Sequence, residues 1–331
     1  MEKVFNWVLT RTEKHLTRKK AKKQYVKEHK TFVSELLDWL DAILFAVVVV
    51  FLINQFLFQF FIIPSPSMQD TLLVKDRVLV SKLTYGIETF PQGPKILASR
   101  IPDKDDIITF YNPQYESKGP VFNVLSTLIY MISFSLINID VDEQGNMREK
   151  LLVKRSVGAA GDTVTFVEGN SYIKLAGTNE YVNEMTYRAE NELVTAPKRT
   201  IDSTTYTWYN AMGRINGLTT EGVSSSNVPR HLVTDYQALD NSATFTDLYE
   251  YNKQTEIGRM MADPTNMEAR STWAKYETGV YVPEGHVLPL GDNRDNSQDG
   301  RYFGPIDADN INGRVTFRIW PLGRISGLVG K

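Results

Sequence analysis

The sequence predicts a mainly β protein that follows one membrane-spanning helix near the N-terminus. Residues 42–63 contain no charged side chain, and about 20 apolar residues suffice to cross a bilayer as a helix. After residue 63, short β-branched or apolar runs alternate with turns rich in Gly and Pro, which is typical of strands. The 331 residues provide enough chain for one large domain or two ordinary ones.

Basic residues precede the apolar stretch and predict its orientation. Residues 1–36 carry ten Lys or Arg against four Glu, so this segment is expected to stay in the cytoplasm and the chain after Ile63 to lie outside. A buried core helix is the alternative, but few soluble helices are apolar on every face over this length. The predicted organisation is a basic segment at 1–36, a transmembrane helix at 37–63, a core at 64–168 and 286–331, and an insertion at 169–285.

A second uncharged stretch runs from Val121 to Ile139 and is interrupted by polar residues. A second crossing would separate residues 64–120 from the chain after residue 140, although chemically promising residues lie on both sides. We therefore predict that this stretch packs on the core or dips into the lipid interface.

Strands are predicted from short β-branched or apolar runs at Arg77–Leu83, Asp106–Tyr111, Leu151–Val157, Thr163–Glu168 and Arg314–Ile319. Residues 169–285 are richer in Thr, Asn and Tyr and show no long helical period, which favours an inserted β-rich domain.

The formal charge of −2 does not indicate a nucleic-acid binder. The absence of cysteine excludes disulfides, zinc–thiolate sites and cysteine nucleophiles.

Two serines flanked by prolines follow the apolar stretch directly. This segment is either a stiff exit from the membrane or a rigid turn that presents Ser67 as a nucleophile, with the Ser65 hydroxyl nearby. A serine hydroxyl needs a base to take its proton. Of the four histidines, His15 and His29 fall in the predicted cytoplasmic segment, and His286, close to Asp292, would fit a Ser-His-Asp arrangement.

Lys154 is the stronger candidate for the base. It lies in a strand-like run that ends at Gly158, where alternation places it on the face of Leu152 and Ser156 and sends Arg155 to the other face. Apolar surroundings disfavour a charged amine and lower its pKa, so that the neutral form can accept a proton. The alternative is an edge-strand lysine whose ammonium reaches water.

A third polar cluster occupies residues 291–301 and contains Asp292, Ser297 and Asp299. A solvated loop and a calcium-like site are two interpretations, although the closing bidentate Glu of an EF-hand loop is missing. A hydrogen-bonded turn that supports an active site is the third. In that case Ser297 orients the lysine amine and carboxylate–guanidinium pairs hold the scaffold.

Together, the three clusters resemble those of bacterial type I signal peptidases, which are Ser-Lys serine proteases. The resemblance covers Phe61–Gly86, Leu151–Val164 and Gly285–Leu322, with a weaker match at Asp106–Asn112. It is carried by Pro-Ser-x-Ser-Met, by Lys-Arg-x-x-Gly-x-x-Gly-Asp and by Gly-Asp-Asn-Arg-Asp-Asn-Ser-x-Asp-x-Arg. It implies an antiparallel-sheet catalytic core with the inserted domain, anchored by the N-terminal helix.

The resemblance also implies a role for each site residue. Ser67 is expected to be the nucleophile and Lys154 the general base. Ser65 and the backbone N–H of Ser67 are expected to form the oxyanion hole, and Ser297 to hydrogen-bond the lysine. The expected structural ion pairs are Arg155 with Asp292 and Arg301 with Asp299. Side chains expected to line shallow pockets for small substrate residues are Phe61, Ile63, Met68, Leu72 and Val153.

The activity implied is removal of signal peptides from exported preproteins at the outer (periplasmic) face of the bacterial cytoplasmic membrane. The expected partners are those signal peptides, the lipid bilayer and the protein export machinery, with no nucleic acid and no cofactor. A Ser-Lys self-cleaving repressor would need a DNA-binding module and no span. A non-catalytic, membrane-anchored subunit that binds exported proteins is the alternative from another functional class.

Overall fold

The chain falls into two compact units, Met1–Phe51 and Leu52–Lys331. The computed structural model describes residues 10–21, 25, 31–90, 93–97, 100–133, 136–145, 148–193, 199, 201–202, 205–238 and 247–328. Parts of the predicted basic segment, core (including the 121–139 stretch) and inserted domain therefore lie outside the described residues.

A single helix in the described residues, α1 (Phe32–Phe56), is long and apolar enough to cross a membrane. The prediction of a helix over 37–63 is therefore wrong at its C-terminal end, because β1 (Phe58–Ile62) follows almost at once. Within β1, Gln59 and Phe61 are buried while their neighbours are more exposed. The apolar run is long because a membrane-type helix leads directly into a core strand.

Fourteen strands are described: β1, β2 (Arg77–Ser81), β3 (Ile87–Glu88), β4 (Lys95–Ile96), β5 (Ile107–Tyr111), β6 (Leu151–Gly158), β7 (Thr163–Val167), β8 (Asn170–Lys174), β9 (Tyr181–Asn183), β10 (Val280–Tyr281), β11 (His286–Leu290), β12 (Ile306–Asp307), β13 (Ile311–Trp320) and β14 (Ser326–Gly327). All five strands predicted from the sequence are present. The antiparallel core is confirmed: eight strands form one sheet in the order β1-β2-β13-β5-β6-β11-β12, with β14 added to β13. A second antiparallel sheet has the order β10-β7-β8-β9.

The core lies on both faces of the large sheet. One buried cluster includes Phe61, Val78 and Val153, and another includes Ile108, Phe110 and Leu152. Adjacent residues of β5 and β6 thus contribute to different clusters, as strand alternation requires. This two-sided burial explains why β5 and β6 have nearly continuous apolar sequences.

The helices after α1 are α2 (Pro120–Ile132), α3 (Glu184–Glu190), α4 (Thr205–Thr220), α5 (Arg230–Gln237), α6 (Leu248–Ala262), α7 (Met267–Thr278) and α8 (Gly300–Phe303). At 13 residues, α2 is too short to span a bilayer. Five of these helices fall within 169–285, so the prediction of a β-rich inserted domain is wrong over the described residues 205–238 and 247–278.

Close helix packing explains the helical insertion. A Cβ at Gly217 would lie 2.1 Å from the Thr255 carbonyl, and one at Gly258 would lie 2.2 Å from the Arg214 carbonyl. These glycines let the backbones of α4 and α6 touch. The same glycines, with the Thr and Asn of α4, give the sequence a weak helix propensity that tertiary packing overrides.

Candidate active site

Ser67 lies in a single 3₁₀ turn, Pro66–Met68, that follows β1. Pro66 begins the turn, where its fixed φ is suitable and its missing N–H costs nothing. The loop at Asn293 fixes the turn from the other side: its backbone N–H donates to Ser67 O at 3.0 Å and its side chain donates to Pro66 O at 3.2 Å. The turn that carries Ser67 is thereby fixed by hydrogen bonds from a loop that is distant in the sequence.

The Lys154 amine contacts the Ser67 hydroxyl directly. Lys154 Nζ donates a hydrogen bond to Ser67 Oγ over 2.7 Å. The lysine side chain is almost fully buried, and burial lowers its pKa from the ordinary 10.5, although the carboxylates of Asp299, Glu149 and Asp292 oppose that change. A buried amine with a lowered pKa beside a hydroxyl is the arrangement that general-base activation requires.

Ser65 lies next to Ser67 on the N-terminal side of the turn. Its Oγ is 3.4 Å from Ser67 Oγ, a long contact for two hydroxyls. Ser65 has an extended backbone and is only partly buried. The Ser65 hydroxyl is therefore close to the nucleophile and held only weakly by it.

Gly291 brings Ser297 close to Ser67. A Cβ at Gly291 would lie 2.1 Å from Ser297 Oγ and 2.6 Å from Ser67 O, so only glycine fits between the two serines. Ser297 Oγ is buried and has no hydrogen-bond partner among the described residues. The bond from Ser297 to Lys154 is thus not formed in this structure, and the orienting role of Ser297 stays a prediction.

The residues expected to line substrate pockets belong to one buried cluster. Four of them, Phe61, Ile63, Met68 and Val153, border a cleft of about 10 Å³ beside Ser67 and Lys154. Leu72 is fully buried in the same cluster and is not part of the lining. A cleft this small is suited to small side chains.

Residues 36–320 match the family described as signal peptidase, peptidase S26. The chain belongs to this family. Signal peptidase I of Haemophilus influenzae is 28% identical over 289 residues, which cover 87% of this chain and 70% of that protein. Signal peptidase I of Aquifex aeolicus is 25% identical over 288 residues, covering 85% and 83%. Mitochondrial inner membrane protease subunit 1 of Xenopus tropicalis is 35% identical over 96 residues, covering 29% and 56%.

The family assignment confirms the resemblance inferred from the three motifs and makes the protein a serine endopeptidase. In the described residues of this S26 peptidase, no hydrogen bond joins His286 to Ser67. Its Nδ1 lies 3.0 Å from the Glu284 carbonyl, on its own loop. The hydroxyl of Ser67 is instead engaged by Lys154.

Arg155 is held by two carboxylates in this S26 peptidase. Its Nη2 lies 2.6 Å and its Nε 2.8 Å from the carboxylate oxygens of Asp292, and its Nη1 lies 3.0 Å from Asp105 Oδ1. Burial alone would raise the pKa of Asp292, but attraction to Arg155 and the hydrogen bonds from Arg155 and Thr71 lower it. Asp292 therefore stays ionised deep in the protein.

The second predicted pair holds the end of the same loop. Arg301 Nε lies 2.9 Å from Asp299 Oδ1, and Asp299 Oδ2 accepts the Gly291 N–H at 2.9 Å. Arg301 also donates to the Arg294 carbonyl at 2.6 Å. Because Asp292 and Asp299 both pair with guanidinium groups, the 291–301 segment is an ion-paired turn.

Sequence reasoning missed a larger buried network that continues from Arg155. Asp105 also pairs with Arg188 at 2.7 Å, and Arg188 is 3.6 Å from Glu184. Glu184 in turn binds Arg294 through both carboxylate oxygens. Arg294 lies inside a recognised motif and offered a signal, whereas Glu184 and Arg188 lie in the insertion and carry no motif.

Proposed function

We propose that this peptidase removes signal peptides from exported preproteins, with Ser67 as nucleophile and Lys154 as general base. The observation that carries the proposal is the 2.7 Å contact between Lys154 Nζ and Ser67 Oγ. Both side chains are buried, so the amine loses hydration and its neutral form is favoured.

Acylation begins when neutral Lys154 takes the proton of the Ser67 hydroxyl and Ser67 Oγ attacks the carbonyl carbon of the scissile peptide. The resulting ammonium of Lys154 gives this proton to the leaving amine, the C–N bond breaks, and an ester to Ser67 remains. Lys154, neutral again, takes a proton from water, whose oxygen attacks the ester. Transfer of that proton to Ser67 Oγ releases the new carboxyl end.

The developing oxyanion is stabilised by the Ser65 hydroxyl and the backbone N–H of Ser67. The long Ser65–Ser67 contact supports this role, because a hydroxyl held at 3.4 Å can turn toward a new oxygen at little cost. Single donors of this kind typically contribute about 3 kcal/mol to transition-state stabilisation.

The substrate binds as an extended peptide in the cleft between β1 and β6. In the described residues β1 pairs only with β2. On β6, residues 151–153 pair with β5, whereas β11 pairs only from Arg155 onward. Each strand therefore has an edge along which no other described strand pairs, and an extended peptide can add there as a further strand.

The helix α1 anchors the enzyme in the bacterial cytoplasmic membrane. The Lys and Arg excess before it supports a cytoplasmic N-terminus and a catalytic unit on the outer face. Anchoring confines enzyme and membrane-inserted signal peptide to one surface and raises their effective concentration. The bilayer and the export machinery that delivers the preprotein are its expected partners.

A preprotein cleavage assay in detergent tests the proposal. The wild type is expected to cut after a small residue, and Ser67→Ala and Lys154→Ala are each expected to abolish cleavage while His286→Ala retains it. Loss of activity in His286→Ala with activity retained in Lys154→Ala would refute the assignment of the base. A wild type that binds the preprotein but never cuts it would favour the non-catalytic subunit.

A further inference from the structure

A much larger cavity adjoins the cleft at Ser67. Its volume is about 260 Å³, and it shares Phe61, Ile63 and Leu151 with that cleft. An apolar protein cavity of about 150 Å³ is enough to hold benzene. The larger cavity, which we call the side cavity, therefore has room for a large side chain, whereas the cleft does not.

Helix α2 forms one wall of the side cavity. Ser126, Thr127, Tyr130 and Met131 of this helix line it, opposite residues of β1 and β6. The Lys150 amine donates to Thr127 Oγ1 at 3.0 Å and ties the helix to the start of β6. The wall is thus built by the segment between β5 and β6.

One residue that lines the side cavity, Gln59, carries an unpartnered polar atom. Gln59 is about 96% buried, and its side-chain oxygen has no hydrogen-bond partner among the described residues. A buried acceptor left without a hydrogen bond is unfavourable. Because Gln59 lines the side cavity, a ligand that carries a hydrogen-bond donor would remove this cost.

The charged groups of the side cavity disfavour a cation. Four basic residues and two acidic residues line it: Lys75, Lys82, Arg148 and Lys150, with Asp140 and Glu149. Lys82 is almost fully buried, and its pKa is lowered to about 8, chiefly by burial and in part by Lys150, while Glu88 opposes the change. A substrate lysine or arginine would meet this basic excess in a poorly hydrated space.

The location of the side cavity indicates which part of the substrate reaches it. Phe61 and Ile63, which both spaces share, are assigned above to pockets for the small residues before the scissile bond. Lys150 precedes Lys154 by four residues, or about 13 Å along an extended chain. An extended substrate covers the same distance in about four residues.

We propose that the side cavity is a specificity subsite for a large uncharged side chain located about four to six residues before the scissile bond. A side chain with an apolar body and a donor at its tip, such as tyrosine, satisfies both the apolar walls and Gln59. The inference rests on the proposed function, since it takes from it the extended substrate and the cut after a small residue.

A peptide series tests this subsite with the wild-type enzyme. Peptides in detergent carry Tyr, Phe, Ala or Lys at each of the fourth, fifth and sixth positions before the cut. We expect one position at which kcat/KM for Tyr exceeds that for Ala by about tenfold, with Lys below Ala. Equal values at all three positions would overturn the inference and leave the proposed function intact, whereas failure to cut any peptide would overturn both.

Variants of the side cavity provide the second test. Ser126→Phe, which fills the cavity, is expected to reduce the Tyr-over-Ala ratio to near one. The matched control Val121→Phe lies on the same helix, outside the cavity and 82% exposed, and is expected to keep the ratio. Gln59→Leu is expected to erase the preference for Tyr over Phe. A ratio unchanged in Ser126→Phe would contradict the assignment.

Discussion

Lys154 and Arg155 are neighbours on β6 and both are buried, yet the groups that surround their charged ends have opposite effects on their charge. Arg155 is surrounded by carboxylates that keep it charged, with Asp292 at 2.6 Å and Asp105 at 3.0 Å. Lys154 has a serine hydroxyl as its hydrogen-bond partner, and its pKa is lowered. The protein therefore places a buried amine with a lowered pKa beside an ionic scaffold formed by Arg155, Asp292 and Asp105.

The comparison shows that burial of a charge serves two separate purposes here. The ionic scaffold orders the loop that holds Ser67, because Asp292 and Asn293 are adjacent and Asn293 binds the Ser67 turn. No carboxylate within ion-pair distance holds the amine of Lys154 among the described residues, and its proposed role as a base depends on the lowered pKa that results. Substitution of Lys154 should thus lower activity and raise stability, whereas substitution of Arg155 should lower stability.

The largest expected effect comes from exchanging each residue for methionine. Lys154→Met should lower kcat/KM by about three orders of magnitude or more and raise the melting temperature, because a desolvated amine is replaced by an apolar side chain of similar length. Arg155→Met should lower stability by about 3–5 kcal/mol, because Asp292 and Asp105 lose their buried partner. Preprotein cleavage and thermal unfolding of the purified variants check both.

The same pair of variants can contradict the comparison. If Lys154→Met melts below the wild type at neutral pH, the lysine contributes stability and its burial is not a cost of function. If Arg155→Met unfolds like the wild type, the ionic scaffold is dispensable and the order of the Ser67 loop has another source.

A second prediction uses the pH dependence of the two regions. The folded-state pKa of Lys154 lies below its unfolded value of 10.5, so the unfolded chain binds the extra proton. The stability cost of this lysine is therefore small above pH 10.5, grows as the pH falls toward the lowered pKa, and is constant below it. The thermal advantage of Lys154→Met over the wild type should accordingly shrink as the pH rises toward 10.5.

The carboxylates behave in the opposite sense. The pKa values of Asp292 and Asp299 are lowered, because their arginine partners outweigh the effect of burial. The stability they contribute is present above their ordinary pKa of about 4 and is lost as the pH falls through the lowered values. Activity should fall reversibly as the pH falls through the lowered pKa of Lys154 and the amine is protonated, while circular dichroism still reports a folded protein. Simultaneous loss of activity and fold would contradict this separation.

Features encoded by a contiguous sequence pattern could be predicted, whereas features that depend on contacts between distant segments could not. The strands β5 and β6 and the motifs around Ser67 and Lys154 are contiguous, so their patterns could be recognised. The helices α4 and α6 could not, because backbone contact at Gly217 and Gly258 stabilises them. The strand β1 was hidden for another reason: buried strands and membrane helices are both continuously apolar.

The part of the ionic scaffold that continues from Arg155 could not be predicted from the sequence either. Asp105, Glu184 and Arg294 come from segments far apart in the chain, and charged residues at such positions are ordinarily solvated. Only the fold connects them: Arg188 pairs with Asp105 and lies 3.6 Å from Glu184, which binds Arg294. Their burial, and not any motif, identifies them as important.

Glu184 provides the smallest and most specific test of this scaffold. It binds Arg294, whose Nε donates to the Gly291 carbonyl at 2.9 Å, and Gly291 is where the Ser67 turn and Ser297 meet. Glu184→Gln removes one charge with little change of shape and should weaken the contact with Arg294. We therefore expect the variant to lower stability by about 1–3 kcal/mol. We also expect it to lower kcat more than it raises KM. Glu190→Gln, at an exposed position of the same helix, is the matched control and should change neither value. If Glu184→Gln loses stability but keeps kcat, the scaffold supports the fold and does not position Ser67.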